Sequence, residues 1–224
     1  RISAAITSVG LSFPHKRVTV NLAPADLIKE GNHFDLPIIC ALLVLLDVLP
    51  AEELQNFIIL GELGLDGSIK SVNGVLPASI KASADNIGII CLNANGVEAT
   101  WAGDIPIIAP KHLLALVNHF RGRFVLDRPL KGDMHKDRQM GDMQDIRGQT
   151  IAKRALEIAA AGEHNVLLSG PPGIGKSLLA NRFMTILPPL NTEEILECSM
   201  IASIAGTIEN GALKCTRPFR APHH

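Results

Sequence analysis

The segment of this sequence with the clearest chemistry is Gly170-Pro-Pro-Gly-Ile-Gly-Lys-Ser177, which matches the pattern G-x-x-x-x-G-K-[ST]. Glycines at these spacings let the backbone curve so that successive N–H groups point inward, toward the oxygens of a triphosphate. Lys176 is placed to reach the β- and γ-phosphates, where its charge offsets charge that builds up during phosphoryl transfer. The Ser177 hydroxyl is placed to ligate Mg²⁺. The pattern therefore predicts a P-loop that holds ATP or GTP together with Mg²⁺.

The predicted site extends over the whole loop, with Lys176 as its catalytic residue and Ser177 as its metal ligand. The residues predicted to contact the nucleotide here are Gly170, Pro171, Pro172, Gly173, Ile174, Gly175, Lys176 and Ser177. Hydrolysis also needs an acidic residue at a strand end, which holds Mg²⁺ and polarises water. None of the later carboxylates follows an apolar strand-like run; they are Glu193, Glu194, Glu197 and Glu209. We therefore expect this chain to bind nucleotide better than it hydrolyses it.

The elements that would position the loop are predicted on both sides of it. Residues 165–169 are expected to form a short buried strand, and residues 177–187 a helix that ends before two prolines. Residues 150–161 have the period of an amphipathic helix, whose predicted apolar face consists of Ile151, Ala155, Ile158 and Ala159. Asn191-Thr-Glu-Glu194 resembles a capping box that opens a further helix, which is expected to continue to about Ser203.

The first 120 residues mix strand and helix patterns. Gly64-Leu-Asp-Gly-Ser68 predicts the turn of a hairpin. Strands are predicted at 17–22, 57–60, 88–92 and 105–108, and helices at 37–46, 77–84 and 111–120. This mixture predicts an α/β domain.

Composition divides the chain. Residues 1–120 hold 7 Lys+Arg and 11 Asp+Glu, whereas residues 121–224 hold 14 Lys+Arg and 11 Asp+Glu. The net charge of −1 is therefore the sum of a negatively charged first half and a positively charged second half. Residues 121–145 are rich in Arg, Lys, Asp, Gly and Met and lack periodicity, which is typical of a solvated linker. The predicted domains are therefore 1–120, a linker at 121–145, and 146–224.

The cysteines and the hydropathy indicate the compartment. The four cysteines, Cys40, Cys91, Cys198 and Cys215, form no C-x-x-C pair and are predicted to be reduced thiols. The longest apolar run, residues 38–46, is too short to span a bilayer, so a cytoplasmic protein without a membrane partner is expected. The chain starts at Arg1 rather than Met, and we expect it to be a piece of a longer protein.

Three segments of the second half form a recognisable set: Asp145-Ile-Arg-Gly-Gln149, the P-loop, and Arg217-Pro-Phe-Arg-Ala-Pro-His-His224. Together they resemble the magnesium-chelatase-like AAA+ ATPases, and within that group the bacterial ComM (YifB) family. The first half agrees through Arg17-Val-Thr-Val-Asn-Leu-Ala-Pro-Ala-Asp26, Phe34-Asp-Leu-Pro37 and Gly61-Glu-Leu-Gly-Leu-Asp-Gly67. The resemblance implies a fold of class α/β, in which a Lon-protease-like domain precedes the start of a P-loop AAA+ domain.

The resemblance also implies a function and the location of missing parts. Full-length relatives form hexameric rings, act in DNA branch migration, and carry a Walker B acid, sensor residues and an arginine finger beyond the matched region. The chain is thus expected to be truncated at both ends and inactive alone. Ile146 and Gln149 would lie near the adenine, which favours ATP, although a plain helix-entry turn is the alternative for this segment. Arg217, Arg220, His223 and His224 would belong to the ring interior or to an interface; metal binding by the two histidines and a tag remnant are the alternatives.

Two other functions are compatible with parts of the sequence. A magnesium chelatase subunit inserts Mg²⁺ into a porphyrin with an AAA+ module of the same group, but the leading Lon-like domain favours the ComM type. A Lon-type peptidase needs a serine in the turn at residues 31–37, where none is present, and the position of its lysine falls on Leu76. Lys81 lies nearby without a nucleophile to serve. His33 and Asp35 are assigned to a helix-entry turn rather than to an acid–base pair. The first domain is therefore predicted to be a non-catalytic scaffold.

Overall fold

The structure is a computed structural model that describes residues 1–14, 17–24, 26, 31–135 and 141–221. The helices are α1 (Ile2–Ser8), α2 (Asp35–Leu45), α3 (Ala51–Leu54), α4 (Val75–Ala84), α5 (Asn93–Ala99), α6 (Leu113–Phe120), α7 (Thr150–Ala161), α8 (Lys176–Phe183) and α9 (Thr192–Ile204). The strands are β1 (Phe57–Ile59), β2 (Glu62–Leu63), β3 (Ile69–Lys70), β4 (Gly88–Ile90), β5 (Ile107–Ile108), β6 (Met134–His135) and β7 (Leu213–Lys214). Short 3₁₀ turns lie at Thr100–Ala102 and Met143–Asp145. The mixture confirms the predicted α/β class.

Contacts between residues divide the chain into two compact units. The N-terminal unit consists of Arg1–Asp133 and Ser199–Leu213. The P-loop unit consists of Met134–Cys198 and Lys214–His224. The chain thus leaves the N-terminal unit after Asp133 and returns to it within α9. The domain ranges 1–120, 121–145 and 146–224 were drawn from composition and resemblance, and they stay a prediction.

The N-terminal unit is built on a parallel three-stranded sheet with the order β1-β4-β5. Phe57 pairs with Gly88 and Ile89 pairs with Ile107, so the strands predicted at 57–60, 88–92 and 105–108 are confirmed in shorter form. Parallel neighbours need a crossover, and α4 lies in the chain between β1 and β4. β4 is buried along its whole length, as its unbroken apolar run indicates.

The hairpin predicted around residues 64–68 is present. β2 and β3 pair antiparallel, with Leu63 opposite Ile69, and the Gly64 N–H donates to the Ser68 carbonyl at 2.7 Å. Gly67 has a φ of 80°, in the left-handed region that glycine adopts without a steric penalty. The turn chemistry visible in the sequence therefore specifies this connection.

The core of the N-terminal unit collects the apolar faces of its helices. α2 is apolar on all sides, and five of its residues are buried: Leu36, Ile39, Cys40, Leu42 and Leu43. The predicted helices at 37–46, 77–84 and 111–120 are confirmed as α2, α4 and α6, with ends shifted by up to two residues. Among the described residues, no helix is both long and apolar enough to cross a membrane.

The strand predicted at residues 17–22 is wrong. These residues are described and belong to no strand, and Val20 and Leu22 are 51 % and 38 % exposed. An alternating pattern produces a strand only where a neighbour supplies N–H and C=O partners, and no described strand pairs with this segment. Val18 does pack against the main apolar cluster. The alternating pattern of residues 17–22 therefore corresponds to a segment with one inward-facing side chain, Val18, and not to a strand of a sheet.

The four cysteines are expected to differ strongly in reactivity. Burial raises the pKa of the Cys40 and Cys91 thiols to about 12, and the charge of Glu98 adds to the rise at Cys91. At pH 8 both remain protonated, whereas the attacking species is the thiolate. We expect iodoacetamide to modify the half-buried Cys198 and Cys215 at least about 100-fold faster than the buried pair. Peptide mass spectrometry over time measures the four rates. Equal rates in the folded protein would contradict this burial, and a sample in urea provides the control.

Candidate nucleotide-binding site

The predicted P-loop leads directly into a helix, as its chemistry requires. α8 begins at Lys176, and Gly175 precedes it as the N-cap with a φ of 97°. Ser177 is therefore the second residue of the helix, where backbone N–H groups lack intrahelical partners and face the loop. This end of a helix also carries the positive end of the helix dipole. The arrangement provides donors for an anion at the place where the sequence predicts a phosphate.

Glycines give the loop its shape. Gly170, Gly173 and Gly175 have φ values of 153°, 83° and 97°, all in the region that L side chains rarely adopt. A Cβ added at Gly173 or Gly175 would meet no protein atom within 4 Å. At these two positions glycine is thus required by the backbone conformation, and the loop surface stays open to solvent. An open, glycine-lined surface beside a helix N-terminus suits close approach by a phosphate chain.

The Lys176 side chain folds back over the loop. Its Nζ donates hydrogen bonds to the carbonyl oxygens of Gly170 and Pro171, both at 2.8 Å. An ammonium group can donate three hydrogen bonds, so one remains available for a further acceptor. These two bonds hold the ammonium charge next to the first residues of the loop, whereas the side chain of a free lysine would sample many positions in solvent.

Gln149 connects the segment before α7 to the loop. Its Nε2 donates to the carbonyl of Ile174 at 3.3 Å, and its backbone is left-handed, with a φ of 53°. Ile146 is only 6 % exposed and packs with Met143, Leu156 and Leu179 in the apolar cluster of the P-loop unit. Gln149 is also the N-cap position of α7, as a helix-entry turn requires. Contact of Ile146 and Gln149 with adenine stays a prediction.

The strand predicted before the loop is wrong. Residues 165–169 belong to no strand, and Val166 and Leu167 are 40 % and 92 % exposed. No described strand pairs with this segment, so its backbone has no ladder to join. Only Leu168 packs against the cluster of the P-loop unit. The apolar residues alone could not indicate whether a neighbouring strand was at hand.

The two helices that flank the loop differ from the prediction in two respects, the buried face of α7 and the C-terminal end of α8. α7 has the predicted bounds, but its buried residues are Leu156, Ala159 and Ala160. Ile151 and Ile158 are 87 % and 53 % exposed, and Ala155 is exposed too, so of the four predicted core residues only Ala159 is buried. The helical period fits either face, and packing against the cluster of Met143 and Leu179 selects the alanine-rich one. α8 ends at Phe183 rather than 187, in a turn before the prolines.

The capping box at residues 191–194 is confirmed in both directions. The Glu194 N–H donates to Asn191 Oδ1 at 2.9 Å, and the Asn191 N–H donates to Glu194 Oε2 at 2.8 Å. α9 then extends to Ile204, one residue past the predicted end. Two residues that bond reciprocally satisfy donors that the first turn leaves open.

Sequence reasoning missed a role for Arg217. Its Nε donates to the Pro188 carbonyl at 2.9 Å, and its Nη2 lies 3.4 Å from Glu194 Oε1. Arg217 therefore fastens the last described stretch of the P-loop unit to the start of α9. Arg220 is exposed, and His223 and His224 lie outside the described residues. The assignment of these four residues to a ring interior or interface stays a prediction.

Comparison with known proteins identifies the family. The family model for magnesium chelatase, subunit ChlI, matches residues 142–224, and a second model, for the subunit ChlI of Mg-chelatase, matches residues 1–95. The full chain is 42% identical to the YifB protein of Salmonella typhimurium over 226 residues, which is 44% of that protein. The chain belongs to the ComM (YifB) family of magnesium-chelatase ChlI-like proteins. This family is part of the AAA+ ATPases.

Other members of the family match over the same range. Identity is 39% to the YifB protein of Escherichia coli, and 40% to the competence protein ComM of Haemophilus influenzae. Each match covers 100% of this chain but only 44% or 45% of the relative. The chain thus spans somewhat less than half the length of these relatives. The resemblance stated from the P-loop and its flanking segments is confirmed.

Proposed function

We propose that the P-loop unit binds ATP as its Mg²⁺ complex. The observation that carries the proposal is the position of Lys176, whose ammonium lies 2.8 Å from two loop carbonyls at the N-terminus of α8. A phosphate chain over this loop would meet the ammonium, the open N–H groups of the helix and the glycine backbone at once. These are the groups that a triphosphate requires.

The residues present also fit the metal. Mg²⁺ takes hard oxygen ligands, keeps several waters, and is commonly bound through one or two protein oxygens plus phosphates. The Ser177 hydroxyl, on the second residue of α8, is the protein oxygen that would hold it. When bound, the metal neutralises charge on the phosphates. Lys176 would orient the β- and γ-phosphates, and Gln149, through its bond to Ile174, would hold the loop against the segment assigned to the adenine.

A nucleotide series tests this proposal. ATP and ADP are expected to bind about 10- to 100-fold more tightly than AMP, because each charge-assisted contact to a terminal phosphate adds on the order of 1.5–3 kcal/mol. Calorimetric titrations with and without Mg²⁺ measure the three affinities. A GTP titration reports separately on the adenine preference. AMP binding as tight as ATP binding would overturn the phosphate site.

For the whole protein, the proposed function is that of an ATP-driven, ring-forming motor that remodels DNA in the cytoplasm. The support is family membership and the name of one relative, a competence protein. The alternative, a chelatase subunit that drives Mg²⁺ insertion into a porphyrin, is supported by the names of both matching family models. Assays of a protein with the length of its relatives separate them. Branched DNA should stimulate ATP turnover under the first function, and a porphyrin-binding partner protein should do so under the second.

A peptidase function receives no support from the N-terminal unit. Leu76, at the position aligned with the Lon lysine, is fully buried. Lys81 lies on the surface of α4, where its Nζ pairs with Asp85 at 2.5 Å. Asp35 opens α2 and accepts from the Leu63 N–H at 3.4 Å, and His33 lies in the turn before it, as a helix-entry turn requires. We therefore propose a scaffold role for this unit.

A further inference from the structure

Residues 199–213, here called the strap, return to the N-terminal unit after the chain has left it. The first attachment point is Ser203, which is 2 % exposed. Its hydroxyl donates to Glu98 Oε1 and accepts from the Leu76 N–H at 3.3 Å. The same Leu76 N–H donates to Glu98 Oε1 at 3.0 Å, and the Gly74 N–H donates to the Ser203 carbonyl at 3.1 Å. A buried carboxylate and the first turn of α4 thus hold one strap residue.

The second attachment point lies at the far end of the strap. The Trp101 indole Nε1–H donates to the Gly211 carbonyl at 2.8 Å. Gly211 has a φ of 69°, and a Cβ added there would lie 2.8 Å from the backbone nitrogen of Glu98, so the two backbones are in close approach. Between the two points, Asn73 Nδ2 donates to the Ile204 carbonyl at 3.3 Å. The strap is held by directional polar contacts at both ends.

Apolar packing contributes little to this attachment. Neither apolar cluster of the N-terminal unit, as far as its residues are described, contains a strap residue. Ile201 and Ile204 are 61 % and 62 % exposed, and the helical residues that the strap buries are small: Ser199, Ala202 and Ser203. Within the strap, which is described throughout, the one large apolar side chain that is buried is Leu213, at its last position. Hydrogen bonds contribute modestly to stability compared with the burial of a large apolar side chain. Segments with few buried apolar contacts are the ones that open locally while a core stays folded.

We propose that the strap is a releasable element, which docks on and leaves the N-terminal unit while the β1-β4-β5 core stays folded. Glu98 is the latch, because its carboxylate is the acceptor for the strap hydroxyl and is 5 % exposed. Release gives the N-terminal unit a second state, in which Glu98, the Leu76 N–H and the Trp101 indole face solvent as a polar surface. The proposal concerns this unit alone and does not depend on nucleotide binding.

Amide hydrogen exchange on the 224-residue chain tests the strap. The Gly74 amide donates to the Ser203 carbonyl of the strap, and the Leu76 amide donates to Glu98 Oε1. The Ile89 amide of β4 instead donates to the Pro106 carbonyl at 2.9 Å, away from the strap. After correction for intrinsic rates, the Gly74 and Leu76 amides should exchange at least tenfold faster than the Ile89 amide. Ser203→Ala should accelerate their exchange by a further ~10- to 100-fold, the range for hydrogen bonds to charged groups, and leave Ile89 within about twofold.

Ile201→Ala is the matched control, since Ile201 lies on the same helix but is exposed, and it should leave all these rates unchanged. Trp101 is the only tryptophan of the chain, so its emission provides a second measurement. The urea transition of this emission should have its midpoint at a lower urea concentration than the transition measured by far-ultraviolet circular dichroism. Equal exchange at Gly74, Leu76 and Ile89 in the unmodified chain, or equal acceleration of all three by Ser203→Ala, would overturn the proposal. So would coincident urea transitions, which would make the strap part of one cooperative unit.

Discussion

Replacing Lys176 by alanine is expected to weaken Mg²⁺–ATP binding by about 10- to 100-fold, the equivalent of losing a charged hydrogen-bond partner worth about 1.5–3 kcal/mol. The side chain reaches over the loop to the carbonyls of Gly170 and Pro171, so its charge lies where the phosphates are proposed to bind. Both of these hydrogen bonds are exposed, and the substitution should therefore leave the thermal midpoint of unfolding nearly unchanged. Calorimetry of both proteins gives the ratio of affinities.

Lys81→Ala is the matched control for this experiment. It removes the same charge from a helix, but on the surface of α4, where the lysine pairs with Asp85. The control should bind Mg²⁺–ATP as the unmodified chain does. Equal affinity of the Lys176→Ala protein and the control would show that the nucleotide binds elsewhere or not at all, and the P-loop assignment would fail.

The chain of 224 residues is expected to turn over ATP only at the background rate. The carboxylates after the loop have other surroundings in the structure. Glu194 caps α9 and pairs with Arg217, Glu209 belongs to the strap, and Glu193 and Glu197 are exposed on α9. None of them follows a described strand, the place where a P-loop enzyme holds its metal-binding acid. The attacking water is therefore left without a positioned base.

A protein with the length of the relatives is expected to hydrolyse ATP at least about 10³-fold faster per site, since an arginine finger alone contributes on the order of 10³–10⁵ in rate. Phosphate release at saturating Mg²⁺–ATP compares the two proteins. Lys176→Ala in each controls for contaminating ATPases. Robust turnover by the 224-residue chain that disappears in Lys176→Ala would contradict this expectation, and would place a catalytic acid among Glu193, Glu194, Glu197 and Glu209.

Local chemistry made much of the structure predictable. The hairpin at residues 64–68 and the capping box at residues 191–194 follow from side chains that bond within a few positions of themselves. The P-loop pattern likewise specifies a glycine backbone followed by a helix, and α8 begins at Lys176. In each case the partners that decide the conformation are neighbours in the sequence.

The predictions were wrong where the conformation of a segment depends on residues far away in the sequence. Residues 17–22 and 165–169 have the composition of strands, but a strand also requires a neighbour, and the pattern of one segment cannot supply it. The buried face of α7 depends on which side meets Met143 and Leu179, and its isoleucines lie on the other side. The bond between Glu98 and Ser203 joins residues 105 positions apart, with no sequence signal at either end.

The discontinuity of the N-terminal unit bears on how the protein is made. A ribosome emits residues in order, at about 5–20 per second, and domains generally fold as units. The segment Met134–Cys198, with the whole nucleotide loop, must be synthesised before Ser199–Leu213 can reach the unit that it completes. For several seconds the nascent chain therefore carries the Glu98 carboxylate without its serine partner and the Trp101 indole without its carbonyl acceptor. The N-terminal unit thus comes first along this chain, but its last segment is synthesised only after most of the P-loop unit.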